Sequence, residues 1–173
     1  MPHDALSNSE LLALHSQALE TDLTQISLRL KAKHRLLATA ESCTGGMIAA
    51  ACTDQAGSSD WFERGFVTYS NEAKTELLGV PAALIAQEGA VSEAVVRAMA
   101  DGALARSRAH VSLAVTGIAG PTGGSVAKPV GTVWFGWCVN GATHSAVQHF
   151  QGDRAAVRAA STRYALQRLL GWL

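Results

Sequence analysis

Apolar positions along this chain follow two rhythms. Leu12, Leu19, Leu23, Ile26 and Leu30 recur at helical spacing. That period predicts an amphipathic helix running to about Lys33, with Ser7 or Ser9 as its cap. The ten residues at the start, MPHDALSNSE, are polar and are expected to be loose. HRLLATAE is a compact apolar run of strand length. GGMIAAACT follows from Gly45 to about Thr53, and its small residues suit a helix packed closely on a sheet. WFERGFVTYS alternates and carries aromatic and β-branched residues, so it predicts a second strand. NEAKTELLGV predicts a short helix, with Asn71 as N-cap and Gly79 as terminator.

Pro81 begins another short helical piece, and Ser92 caps a longer one with Val95, Val96, Met99 and Ala103 on one face. HVSLAVT is a short apolar strand ending at Thr116. GIAGPTGGSVAKPVG is the richest Gly/Pro stretch of the chain and must be a loop. TVWFGWCVN and THSAVQHF predict a hairpin around Gly141. Asp153 opens a last helix, with Val157, Ala160, Tyr164, Leu169 and Leu170 as candidate core positions. Strands and helices that alternate and end in a hairpin predict an α/β fold: a three-layer α/β/α sandwich with a mixed, mainly parallel sheet. A length of 173 residues fits one domain over 1–173. Ligands of such sheets sit outside the carboxyl ends of the strands. Three polar loops follow apolar strands, ESCTGG, YSNEAK and TGIAGPTGG, and they are expected to converge.

Composition narrows the function more than the fold. Formal net charge is zero, with 14 basic and 14 acidic residues, so no basic stripe points to nucleic acid. The three cysteines, Cys43, Cys52 and Cys138, form no C-x-x-C pair. An odd count argues against a disulfide framework and a zinc site, and fits a reducing cytoplasm. No apolar run is long enough to span a membrane, and the N-terminus lacks the pattern of a secretory signal. Neither H-E-x-x-H nor a carboxylate cluster with ligand spacing occurs, so no metal and no cofactor is called for.

The three loops carry the candidate chemistry. In ESCTGG, Ser42 stands in a strand-to-helix turn, where nucleophiles are often displayed. Backbone N–H groups of a helix opening at Gly45-Gly46 would be unpaired and able to hold an anion or oxyanion. Taken alone, the segment reads more readily as a small-residue turn with Ser or Thr as N-cap, and Cys43 is a rival nucleophile. In YSNEAK, Lys74 works as a base only if burial or a nearby cation lowers its pKa; otherwise it is a solvated helix lysine. Ser-Lys pairs are a known way to activate a hydroxyl, and Tyr69 is placed to relay a proton or to bond the same site. In the third loop Thr116 is followed by Gly117 and Gly120, and such loops bring N–H groups close to a ligand. Lys128 either contacts a phosphate or faces water. Arg154 and Arg158 lie one turn apart at the start of the last helix, where a basic residue opposes the helix dipole; that favours a phosphate partner for Arg154. Trp134, Phe135 and Trp137, apolar and near the C-terminal end, are compatible with a homo-oligomer interface.

Together these segments resemble the C-terminal domain of the CinA (competence/damage-inducible) family. The resemblance rests on AESCTGG (40–46), GSSDWFERGFVTYSNEAK (57–74), LLGVP (77–81), GAVSE (89–93), AVTGIAGPTGG (114–124), KPVGTV (128–133) and GDR (152–154). The segments span residues 40–154, about two thirds of the chain. The resemblance implies a three-layer α/β/α fold and hydrolysis of the carboxamide of nicotinamide mononucleotide in pyridine nucleotide salvage. It also implies Ser42 as nucleophile, Lys74 as base, Tyr69 and Thr116 in the polar cluster, and Arg154 on the ligand. Thr44, Gly45, Gly46, Gly117, Gly120 and Lys128 complete the expected substrate-binding set. The chain resembles the stand-alone form, without the molybdopterin-binding-like domain of larger members. One departure from the family pattern is Thr122, where a glycine usually follows the proline. A non-catalytic pyridine-nucleotide sensor and a competence-related interaction protein are the alternatives, and ammonia release separates them from the enzyme.

Overall fold

The computed structural model describes residues 8–173, with side chains from Ser16 onward. Its elements in chain order are α1 (Asn8–Ala32), β1 (Leu37–Glu41), α2 (Met47–Thr53), a 3-10 turn (Ser58–Asp60), β2 (Phe62–Val67), α3 (Asn71–Leu78), α4 (Ala82–Glu88), α5 (Glu93–Ala105), β3 (Val111–Gly117), β4 (Thr132–Val139), β5 (Ala142–His149) and α6 (Arg154–Leu170). Residues 8–10 are already helical, so the loose N-terminal stretch expected from the sequence does not extend through them, and Ser9 lies inside α1 rather than at its cap. Ser7 lies outside the described residues.

The sheet order is β2-β1-β3-β4-β5. β1 pairs parallel with β2 and β3, whereas β4 runs antiparallel to both β3 and β5. Four strands therefore point one way and β4 alone points back. The β4–β5 turn is Asn140-Gly141, both with positive φ (55° and 77°), the conformation that two-residue hairpins favour.

Alternation along β3 explains the layering. Val111, Leu113 and Val115 face a core shared with α1, α2 and α6; Ala114 faces a second core built on α3, α4 and α5. Leu23, Ile26 and Leu30 of α1 are buried in the first core, as their spacing predicts. Phe135 and Trp137 of β4 also belong to it, and the Trp137 indole donates to the Ala165 carbonyl at 3.0 Å. These two rings are buried inside the chain, and Trp134, the third aromatic residue of the strand, is half-buried against the second core. On the other face, close packing depends on glycine. A Cβ at Gly102 of α5 would come 2.1 Å from the Leu78 carbonyl, so α3 and α5 touch backbone to backbone.

Helix caps follow local chemistry. Ser92 and Asp153 cap α5 and α6 as expected, through hydrogen bonds from Val95 and Ala156 N–H. α3 is capped by Ser70, which accepts from Ala73 N–H, and Asn71 is its first helical residue. The Asn71 cap is thus shifted by one position: Ser70 is the extended residue, with φ −82° and ψ 166°. Gly79 ends α3 in the left-handed conformation. Among the described residues, no helix is long and apolar enough to cross a membrane.

Candidate active site

Strand register brings the three loops to one sheet edge. Glu41 pairs with Val67 on one side and Val115 on the other. The residues one step further, Ser42, Thr68 and Thr116, therefore lie side by side at the carboxyl ends of three neighbouring parallel strands. Ser42 N–H donates to the Val115 carbonyl at 3.0 Å, and Thr68 N–H to the Glu41 carbonyl at 2.8 Å. These bonds carry the sheet one residue past its formal end and fix the backbone at Ser42.

Lys74 enters from the first turn of α3 and is 1% exposed. Its Nζ lies 3.2 Å from Ser42 Oγ. It also donates to the Thr68 carbonyl at 2.8 Å and to the Tyr69 and Ser70 carbonyls at 3.4 Å each. The four oxygens hold it without a carboxylate partner. Burial pulls its pKa below the ordinary lysine value, while the nearby Cys43 and Glu72 pull it back up. It is not the solvated helix lysine that the sequence also allowed. Cys43 sits beside Ser42 but is 5% exposed, and burial pushes its thiol up to about 11. A thiol in that state is a poor nucleophile at neutral pH.

The turn after Ser42 differs from the sequence expectation. Gly45 and Gly46 have positive φ (59° and 96°) and precede α2 rather than opening it. Their N–H groups are not free: Gly45 donates to the Ser42 carbonyl at 3.0 Å and Gly46 to Glu41 Oε2 at 3.1 Å. Glu41 also accepts from Ile48 N–H at 3.0 Å and Ala49 N–H at 2.8 Å. A fully buried carboxylate from β1 thus occupies the start of α2, and no anion site is left there. Among the described residues, the N–H groups left without a protein acceptor in this turn are those of Cys43 and Thr44. The buried hydroxyls of Thr44 and Thr68 also lack a partner.

The remaining expected residues fall around this centre. Thr116 is buried, and its hydroxyl donates to the Ala90 carbonyl at 2.9 Å rather than to Ser42 or Lys74. Tyr69 is 61% exposed, and its phenol oxygen accepts from Arg154 at 2.9 Å. Arg154 also donates to the Gly120 carbonyl at 3.0 Å, so it ties the second loop to the third. Lys128 Nζ donates to the Glu88 carbonyl at 3.0 Å, which anchors the glycine-rich loop to the end of α4. Gly117 has a packing reason: a Cβ there would lie 2.7 Å from Val133 Cγ2 and 2.9 Å from the Thr132 carbonyl. At Gly120, φ is 81° and a Cβ would meet Val130 at 2.5 Å.

Two residues of the site carry no sequence assignment. Glu41 had a legible signal, since it is a lone charge at the end of an apolar strand, and a buried charge must be compensated. Arg158 had none: it donates to the Cys43 and Thr44 carbonyls, which no side-chain pattern announces. Two grooves, of about 400 Å³ beside α3 and α4 and about 550 Å³ beside α1 and α2, lie elsewhere and include neither Ser42 nor Lys74. The chemistry of the paired side chains, not the size of a hollow, marks the site.

Comparison with known proteins agrees with this architecture. A family profile described as CinA C-terminal domain matches residues 19–173. The chain is 52% identical over 165 residues to a protein of Escherichia coli (strain K12) named "Nicotinamide-nucleotide amidohydrolase PncC", covering 95% of each. It is 54% identical over 134 residues to a "CinA-like protein" of Akkermansia muciniphila, covering 77% of this chain and 32% of that longer one. The crystal structure of a competence/damage inducible protein from Agrobacterium tumefaciens superposes with a TM-score of 0.87 at 43% identity, covering 90% of this chain and 95% of that one. The chain belongs to the CinA C-terminal domain family.

Proposed function

We propose that this protein hydrolyses the carboxamide of nicotinamide mononucleotide to nicotinate mononucleotide and ammonia, with Ser42 as nucleophile and Lys74 as its base. The observation that carries this reading is the buried Lys74 amine 3.2 Å from the Ser42 hydroxyl. The 52% identity to a named nicotinamide-nucleotide amidohydrolase supplies the substrate.

A neutral lysine amine has two N–H groups and one lone pair. The carbonyls of Thr68, Tyr69 and Ser70 surround the amine and take its N–H groups. The lone pair then faces Ser42 and accepts its proton as Oγ attacks the carboxamide carbon. The tetrahedral oxyanion is held by the free N–H groups of the turn. Lys74 returns the proton to the departing nitrogen, ammonia leaves, and an ester remains on Ser42. Lys74 then activates a water, which cleaves the ester and restores the hydroxyl. Arg154, exposed at the mouth and bridged to Tyr69 and Gly120, is assigned to the nucleotide phosphate. In this reading the reaction belongs to pyridine nucleotide salvage, and the three free cysteines fit a reducing cytoplasm.

The test is ammonia release from nicotinamide mononucleotide in EDTA, by wild type and by Ser42→Ala. Release by wild type alone is expected. Release by both would remove Ser42 from its role, and release by neither would remove the substrate.

A further inference from the structure

Arg158 lies one turn beyond Arg154 on α6 and takes no part in the steps above. Its Nε donates to the Cys43 carbonyl and its NH2 group to the Thr44 carbonyl, each at 3.0 Å. Among the described residues it forms no salt bridge. A half-buried guanidinium is thus spent on two consecutive carbonyls of the turn that follows Ser42.

The consequence follows from peptide geometry. In a planar trans peptide, the carbonyl and the next N–H point in opposite directions. Holding the Cys43 carbonyl toward α6 turns the Thr44 N–H away from α6. Holding the Thr44 carbonyl does the same to the Gly45 N–H, which closes on the Ser42 carbonyl at 3.0 Å. The Thr44 N–H meets no protein acceptor among the described residues. Gly45 packs against the same guanidinium: a Cβ there would lie 3.4 Å from Arg158 NH2, and its φ of +59° suits glycine. Glu41 fixes the far end of the turn through Gly46, Ile48 and Ala49. Between these two clamps the Thr44 N–H is left as a donor of fixed direction.

We infer that Arg158 is a positioning residue for acyl transfer at Ser42, holding the 43–45 backbone so that the Thr44 N–H serves as a preformed oxyanion donor. The inference rests on the reading of Ser42 as the nucleophile. Without the fork the 43–44 peptide can rotate, and the donor must be reoriented during reaction. Such a defect lowers the rate of bond formation and spares ground-state binding.

The test compares full-length Arg158→Met and Arg158→Lys with wild type in two assays. One gives kcat and KM for nicotinamide mononucleotide. The other gives the rate of labelling by an alkyl fluorophosphonate, in which Ser42 Oγ bonds to phosphorus, fluoride leaves and Lys74 takes the proton. In that reaction the phosphoryl oxygen needs the same donor. For Arg158→Met, kcat should fall about 10²-fold with KM within about threefold, and labelling should slow in parallel. Arg158→Lys should lie between, because an ammonium still reaches one carbonyl. A raised KM with unchanged kcat would overturn the inference and make Arg158 a substrate ligand. So would a loss that disappears when rates are divided by the folded fraction read from melting curves. Ser42 labelling without turnover of the nucleotide would end the amidohydrolase reading and leave the labelling ratio to decide Arg158. No labelling of Ser42 in wild type would end both.

Discussion

Lys74 Nζ lies 3.2 Å from Ser42 Oγ although the two residues are 32 positions apart in sequence, and 1% of the lysine is exposed. A base must be unprotonated to work. Desolvation lowers the Lys74 pKa from its ordinary 10.5, against the pull of Cys43 and Glu72. The rate should therefore rise with pH, with its midpoint below 10.5. A profile of kcat/KM over about pH 6 to 10 checks this. A midpoint at or above the ordinary lysine value would contradict it. Lys74→Arg keeps a charge at every accessible pH, so it should lose about 10²-fold or more throughout.

Cys43 is the neighbouring nucleophile that the sequence left open. Its thiol is raised to about 11, chiefly by burial. Cys52 is pushed up further in the same core. Iodoacetamide at neutral pH should therefore leave activity intact, and Cys43→Ala should stay within about threefold of wild type. Residual activity after alkylation is the readout. Inactivation matched by alkylation at Cys43 would reverse the assignment.

Glu41 should matter to both fold and rate. Its carboxylate accepts three backbone N–H groups in a fully buried position. Glu41→Gln turns an amide donor toward other donors, at a cost of about 1–3 kcal/mol. Urea unfolding measures the loss. Because Ser42 follows directly, kcat should fall in the fraction that remains folded.

Arg154 separates binding from chemistry. It reaches the Tyr69 phenol and the Gly120 carbonyl, not Ser42 or Lys74. Arg154→Ala should raise KM about tenfold or more with little change in kcat, as expected for loss of a charge-assisted phosphate contact. Tyr69→Phe should give a smaller effect in the same direction. Steady-state kinetics decide it, and an unchanged KM would remove the phosphate from Arg154.

The parts of this fold legible in sequence are those with a local cause. The spacing of Leu23, Ile26 and Leu30 marks the buried face of α1, and Asn140-Gly141 marks a hairpin by its backbone preference. Ser42 and Lys74 were nameable singly, because a hydroxyl in a strand-to-helix turn and a lysine in a first helical turn each have a chemical meaning. Their approach was expected from the convergence of the strand-end loops and from the family resemblance, but the 3.2 Å contact itself depends on β1 and β2 lying side by side. The state of the Gly45 and Gly46 N–H groups was misread for a related reason. Glu41 stands out in the sequence as a lone charge ending an apolar strand, but nothing local says that its side chain folds back onto α2. Arg158 was harder still, because its partners are carbonyls and every residue carries one.

Acyl transfer through Ser42 requires a covalent ester on its Oγ. Mass spectrometry of the wild-type enzyme, acid-quenched during turnover of nicotinamide mononucleotide, tests it most directly. A nicotinoyl nucleotide ester is expected on the peptide carrying Ser42, located at the serine by fragmentation. An acyl group on Cys43, or sustained turnover with no acylated peptide at any quench time, would contradict it.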